Sequence, residues 1–236
     1  MLSVVPTPIG NRQDITLRAV ETLRAADLVA AEDTRHSGLL LAHLGIKKPF
    51  ISLHEHNETA RVSELVERIA SGLHVALITD AGMPGISDPG HRLIRACVEA
   101  GLPFTVLPGP SAVLTALVGS GFPSDRFSYG GFLPVKSGRR HAELERAASH
   151  PESSVYFESP HRILRTLEIL HELCPQRLVC VARELTKTFE DYRRGTPADL
   201  IVHFSNHPPK GEITLVISAT STRSRDHEEE SSAPPA

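Results

Sequence analysis

The chain has 236 residues, 40% of them hydrophobic and 22% charged, with a net charge of −3. The segment 220–236 sets Asp226, Glu228, Glu229 and Glu230 against Arg223 and Arg225, four acids against two bases, so the body is near neutral. That excludes a protein held to nucleic acid by overall charge, while leaving a local basic face open. No window approaches the roughly 18 unbroken apolar residues of a membrane span, and the N-terminus lacks a basic, apolar leader, so no membrane contact and a cytoplasmic location are expected. Cys97, Cys174 and Cys180 are odd in number and scattered, which points to reduced core thiols.

From residue 3 to 122, strand-like and helix-like segments alternate: 3–5, 16–26, 28–31, 38–44, 50–53, 59–71, 75–78, 92–100, 104–107 and 111–120. Such alternation predicts α/β architecture with a mostly parallel sheet and helices on its faces. Three strands run into Gly/Pro loops: PTPIGN at 6–11, DAGMPGISDPG at 80–90 and PGPS at 108–111. Glycine lets main chain approach a ligand, and proline stiffens a loop without adding N–H groups. Ligands of open α/β sheets sit beyond the carboxyl ends of strands, so three such loops predict one shared pocket.

The rhythm changes near 120–125, which sets the expected boundary between a domain at 1–121 and one at 122–219. The second half reads as 127–133, a basic linker at 136–140, a helix to about 149, then 153–158, 163–173, 178–183, 188–194 and 213–218, a mixed α+β pattern. Ser159-Pro160 suits an N-cap and first helical position, with Ile163, Leu164, Leu167 and Leu170 as the core stripe. His161, Arg162 and Arg165 then cluster near a helix N-terminus, a place that attracts anions. The acidic tail from 220 is expected to be disordered.

No G-x-G-x-x-G follows the first strand, and neither G-x-x-x-x-G-K-[ST] nor G-x-S-x-G occurs, which argues against dehydrogenases, NTPases and α/β-hydrolases. His54 and His56 share a strand face without a third ligand, so no metal site is expected. Charged clusters sit at strand ends: AEDTR at 31–35, ESPHR at 158–162 and RELTK at 183–187. Each reads either as a helix cap or salt-bridged face, or as part of an active site.

In order along the chain, TPIGN, AEDTR, DAGMPGISDPG, LPGPSA, GFLP, ESPHR, RELTK and KGE resemble the ribosomal RNA small subunit methyltransferase I family of the tetrapyrrole methylase superfamily, over about residues 4–217. The resemblance implies two α/β domains, usually in a homodimer, that bind S-adenosylmethionine in the cleft between them. It further implies methylation of the ribose 2′-oxygen of a cytidine in the decoding region of small-subunit ribosomal RNA, free or in the assembled subunit. Met83 stands where the family usually has Thr, Ser37 where it has Thr, and Arg12 where it has Leu. Pro8, Asp80, Met83, Ile86, Ser87, Pro108 and Ala112, with Phe132 and Leu133 from the second half, are the expected cofactor contacts. Glu32 or Asp33 is the expected proton acceptor with Arg35 on a phosphate, and Glu158 and Glu184 stand in reserve. Lys136, Arg139, Arg140, His161, Arg162, Arg165, Arg183, Lys187 and Lys210 are the expected RNA contacts. A metabolite methyltransferase, or a ribosome-binding module without catalysis, are the rival readings.

Overall fold

Short apolar runs buried on both faces build the first sheet. In the computed structural model, which describes residues 1–220, β1 (Leu2–Val4), β2 (Leu28–Ala31), β3 (Phe50–Ser52), β4 (Val75–Ile78) and β5 (Phe104–Val106) lie parallel in the order β3-β2-β4-β1-β5. The three inner strands expose nothing, as parallel strands covered by helices on both faces require. On one face α3 (Glu58–Ala70) and α4 (His91–Glu99) bring Leu65, Ile69, Leu93 and Cys97 against Leu2, Val4 and Leu77. On the other, α1 (Leu17–Ala25) and α2 (Thr34–His43) bring Leu23 and Leu41 against Val29, Ala31 and Ile78.

The chain reaches the second sheet over residues 121–126, after α5 (Ala112–Ser120). Here β6 (Phe127–Phe132), β7 (Ser153–Glu158), β8 (Val179–Arg183), β9 (Asp191–Gly195) and β10 (Ile213–Ile217) lie in the order β6-β7-β10-β8-β9, with only β6 and β7 parallel. One face packs on α6 (Ser137–Ser149), α7 (Ile163–Leu173) and α8 (Pro197–Asn206) through Leu144, Leu167, Leu170, Leu200 and Phe204. The opposite face packs on α5: Val113, Ala116 and Leu117 share a core with Val155, Cys180, Ala182 and Val216. A helix that follows the first sheet in the chain thus serves the second.

Several local expectations change. The basic stretch expected to be a linker is the opening of α6. The helix α8 was not expected; its capping box is complete, with Thr196 Oγ accepting from the Asp199 N–H, the Asp199 carboxylate accepting from the Thr196 N–H, and Pro197 in the first turn. Ser159 caps a preliminary turn rather than α7 itself, its carbonyl accepting from the N–H groups of Arg162 and Ile163. Thr220 is attached, donating its N–H to the Pro151 carbonyl at 3.0 Å. The rest of the expected disordered tail, 221–236, lies outside the described residues.

Candidate active site between the two sheets

The loops beyond β1 and β4 are stitched into one wall. Thr7 and Gly82 exchange both backbone hydrogen bonds, at 2.9 and 3.0 Å, and the Thr7 hydroxyl donates to the Thr79 carbonyl at 3.0 Å. Gly82 holds φ +77°, a left-handed backbone suited to glycine. The 80–90 loop is fastened at its far end by the buried Glu58 carboxylate of α3, which accepts from the Gly90 N–H at 2.9 Å and the Arg92 N–H at 3.3 Å. Gly90 has φ +119°, and a Cβ there would lie 2.7 Å from the Leu77 side chain.

Two clasps join this wall to the second sheet. Ser87 Oγ and Tyr129 Oη lie 2.6 Å apart, linking the 80–90 loop to β6. On the other side the Asn11 N–H donates to Thr186 Oγ1 at 3.0 Å, and Gly10 lies so close that a Cβ would come within 2.5 Å of the Lys187 side chain. Between the clasps opens a cavity of about 430 Å³, within the range of small-molecule sites. Ile9, Met83, Ile86 and Val113 line it from the first half, and Phe132, Phe157 and Leu185 from the second. Asp88, Ser111, Ser159 and the residues entering β10 supply its polar surface.

Of the expected cofactor contacts, Met83, Ile86, Ala112 and Phe132 face this cavity, whereas Pro8, Asp80, Ser87 and Pro108 are not in its wall. Asp80 instead accepts the Asp33 N–H at 3.2 Å, and Ser87 serves the Tyr129 clasp. Leu133 is turned into the core beneath α6 and α7, because residues alternate across β6 and its end, and Phe132 takes the cavity side.

The expected catalytic set divides. Asp33 is the N-cap of α2, accepting from the N–H groups of Arg35 and His36 and pairing with the Arg35 guanidinium at 3.2 Å. The Arg35 side chain and that cap hold the Asp33 carboxyl below its usual range, which makes it a poor proton acceptor and leaves Arg35 engaged. Glu158 is buried and spoken for: it accepts from the Ser159 N–H at 2.7 Å, from Thr166 Oγ1 at 2.6 Å, and pairs with Arg162 at 2.6 Å. Glu184 sits at φ +50° and accepts from the Glu212 N–H at 2.9 Å and from Lys187 at 3.0 Å. The Glu212 N–H, then Lys187, keep it ionised below its ordinary range, so it holds the loop in shape.

Glu32 is different. Burial first, and then the charge of Asp80, push its carboxyl up. Beside it, Asp88 is pushed up to about 7, by burial first and then by the charges of Glu32 and Asp80. Three carboxyls at the ends of β2 and β4 thus crowd one corner, and the one in the cavity wall has proton affinity matched to neutral pH. Asp88 was not among the expected residues. Its signal is the Asp-Pro-Gly of the loop, but only the fold-back of that loop sets it beside Glu32.

The second sheet brings basic groups to the edge that faces the cavity, since Glu158 and Arg183 both pair with Ile213 in the strand register. Lys136, Arg139, His161 and Lys210 are exposed there with no ion pair among the described residues. Arg165 pairs with Glu168 at 2.9 Å, Arg183 donates to the Lys210 carbonyl at 3.3 Å, and Lys187 bridges Glu184 and Glu212. Arg162 is engaged by Glu158, and Arg140 is buried, 6% exposed, because it lies on the α6 face that carries Leu144 and Ala147 into the core. These last two, with Lys187, are therefore not the free surface cations that the sequence suggested.

Residues 1–201 match the family described as Tetrapyrrole (Corrin/Porphyrin) Methylases. A ribosomal RNA small subunit methyltransferase I from Haemophilus influenzae is 50% identical over 220 residues, 92% of this chain and 78% of that protein. The protein of the same name from Escherichia coli O157:H7 is 46% identical over 228 residues, 95% of this chain and 80% of that protein. Among solved structures, a diphthine synthase superposes with a TM-score of 0.72 at 17% identity, covering 92% of this chain and 89% of its own, a likeness of fold. No helix among the described residues is long and apolar enough to cross a membrane.

Proposed function

The chain belongs to the tetrapyrrole methylase family, in its ribosomal RNA small subunit methyltransferase I branch, and on that premise we propose that it methylates the ribose 2′-oxygen of a cytidine in the decoding region of small-subunit ribosomal RNA, using S-adenosylmethionine. The observation that carries the reading is the cavity shared by both sheets, apolar in its walls, with Asp88 in one wall and Glu32 behind it. S-adenosylmethionine supplies a methyl carbon activated by a sulfonium cation. The chain fits it: Met83, Ile86 and Phe132 offer apolar surface for the adenine and the methionine chain, and the Asp88 carboxylate complements positive charge.

The rest is positioning and proton management. Phe132 and Phe157, their ring centroids 5.1 Å apart, form an aromatic wall that a bound cofactor would cover, and the two clasps hold the cavity walls in register. The ribose hydroxyl loses its proton during attack to a carboxylate oxygen of Asp88, or to Glu32 beside it, so that of the sequence candidates Glu32 and Asp33 only Glu32 is retained. Lys136, Arg139, His161 and Lys210 on the cavity-facing edge meet RNA phosphates. Exposed apolar side chains on the edge strand β5, Phe104 and Val106, and on α5, Leu114 and Val118, support pairing of two copies. The test is transfer of labelled methyl from S-adenosylmethionine to purified small subunits lacking the modification, followed by nucleoside analysis. Label in 2′-O-methylcytidine is expected; cofactor binding with no label in RNA would turn the reading to a metabolite substrate.

A further inference from the structure

The N-terminus of α6 lacks what helices usually have there. No side chain caps its first turn and that turn contains no acid, although it is a helix of 13 residues. Instead the sequence supplies Lys136, Arg139 and Arg140. The Arg140 guanidinium is almost wholly buried, yet its Nε and Nη1 have no hydrogen-bond partner and no carboxylate pairs with it among the described residues. A guanidinium removed from water without an acceptor is costly, and an anion is what would relieve it. Side chains on a helix lean back toward its N-terminus, so Arg140, in the first turn, is directed to the same end as the free N–H groups. That end follows β6 after the short connection Leu133 to Lys136 and lies beside the turn after β7, where the Arg162 guanidinium donates to the Leu133 carbonyl at 3.2 Å. Both flank the cavity.

We propose that the first turn of α6, with Arg140 behind it and Lys136 and Arg139 at its rim, binds a backbone phosphodiester of the RNA beside the nucleotide in the cavity. The proposal rests on the RNA reading above and adds a place where the strand is gripped. Dipole, free N–H groups and a fixed cation then converge on one phosphate.

Gly138 gives a clean test. Its missing Cβ faces open space, with nothing within 4 Å. Gly138→Asp therefore puts an acid in a helical first turn, where it should hold or raise the thermal midpoint, while repelling a phosphate. With unmodified small subunits, Gly138→Asp should bind about tenfold more weakly than the wild type, with a log–log salt slope shallower by about 0.7. Arg140→Gln should lose affinity and slope in the same direction, and affinity for S-adenosylmethionine should be unchanged in both. Unchanged subunit affinity and slope in Gly138→Asp would overturn the proposal. So would inorganic phosphate that protects the wild type but not Gly138→Asp while subunit binding stays equal, since the site would then serve a free ion. Methyl transfer by the wild type is read separately, so a chain that binds subunits but methylates nothing in them fails the parent reading and leaves the binding comparison intact.

Discussion

Replacing Asp88 with Asn should make the protein more stable and less active, and the stability gain should depend on pH. Burial and the charges of Glu32 and Asp80 raise the Asp88 carboxyl from an ordinary 3.8 to about 7. Each tenfold change in proton affinity is worth about 1.4 kcal/mol, so ionising Asp88 costs the folded state at most about 4 kcal/mol. Ile86 and Ser87 beside it are exposed, and water at that rim screens the charges, which reduces the figure to roughly 2 kcal/mol. The folded state holds this proton more tightly than the unfolded chain, so the cost is absent below about pH 4, grows between pH 4 and 7, and is complete above about pH 7. Asn never carries the charge. Thermal unfolding should show wild type and Asp88→Asn nearly alike at pH 4, and the variant higher by about 4–8 °C at pH 8. Methyl transfer by the wild type should rise with pH through about 7 as Asp88 ionises, and in the variant turnover should fall by about 10²–10⁴. A midpoint gain that is the same at both pH values would refute the charge argument. Full turnover in the variant would refute the assignment of Asp88 as proton acceptor.

Other changes separate chemistry from scaffold. Glu32→Gln should cut turnover with little loss of stability, whereas Asp33→Asn, which weakens the α2 cap and the Arg35 pair, should lower the unfolding midpoint and spare turnover; steady-state kinetics beside thermal unfolding distinguishes them. Gly90→Ala meets both a left-handed backbone and the Leu77 side chain, and should cost about 1–3 kcal/mol in urea unfolding. A double-mutant cycle of Ser87→Ala and Tyr129→Phe should give a coupling of about 0.5–1.5 kcal/mol, and each single change should raise KM for S-adenosylmethionine as the clasp loosens.

Most of the frame could be read from local pattern. Apolar runs such as LVAA at 28–31 and VALI at 75–78 are short, unbroken and bounded by polar residues, so they read as buried strands and are β2 and β4. The Gly/Pro loops were legible for the same reason, because their residue types have few other uses. What failed depended on distant partners. Arg140, buried and unpaired, differs from the exposed Arg139 only by sharing a helical face with Leu144 and Ala147, a register that is lost when the stretch is read as a linker. Lys187 looked like a surface cation, but Glu212, from the start of another strand, reaches it at 2.9 Å. Asp33 and Glu32 are neighbours in sequence and opposite in setting: the Asp33 carboxylate caps its own helix, while that of Glu32 feels the charge of Asp80 and acts on Asp88. The helix α8 was legible in principle, since Thr196, Pro197 and Asp199 spell its cap, but its apolar residues Leu200, Ile201, Val202 and Phe204 form a near-continuous run rather than a spaced stripe.

The placement of α5 bears on how the protein could be taken apart. This helix is tied by the chain to the first sheet and by its apolar face to the second, where Val113, Ala116 and Leu117 meet Val155, Cys180 and Val216. A fragment ending at residue 121 would carry that face bare into water, and the remainder would lose the cover over one side of its sheet. Neither half is a portable module. The two cavity walls should therefore loosen together, and a ligand held between them should slow proteolysis within both sheets rather than within one of them.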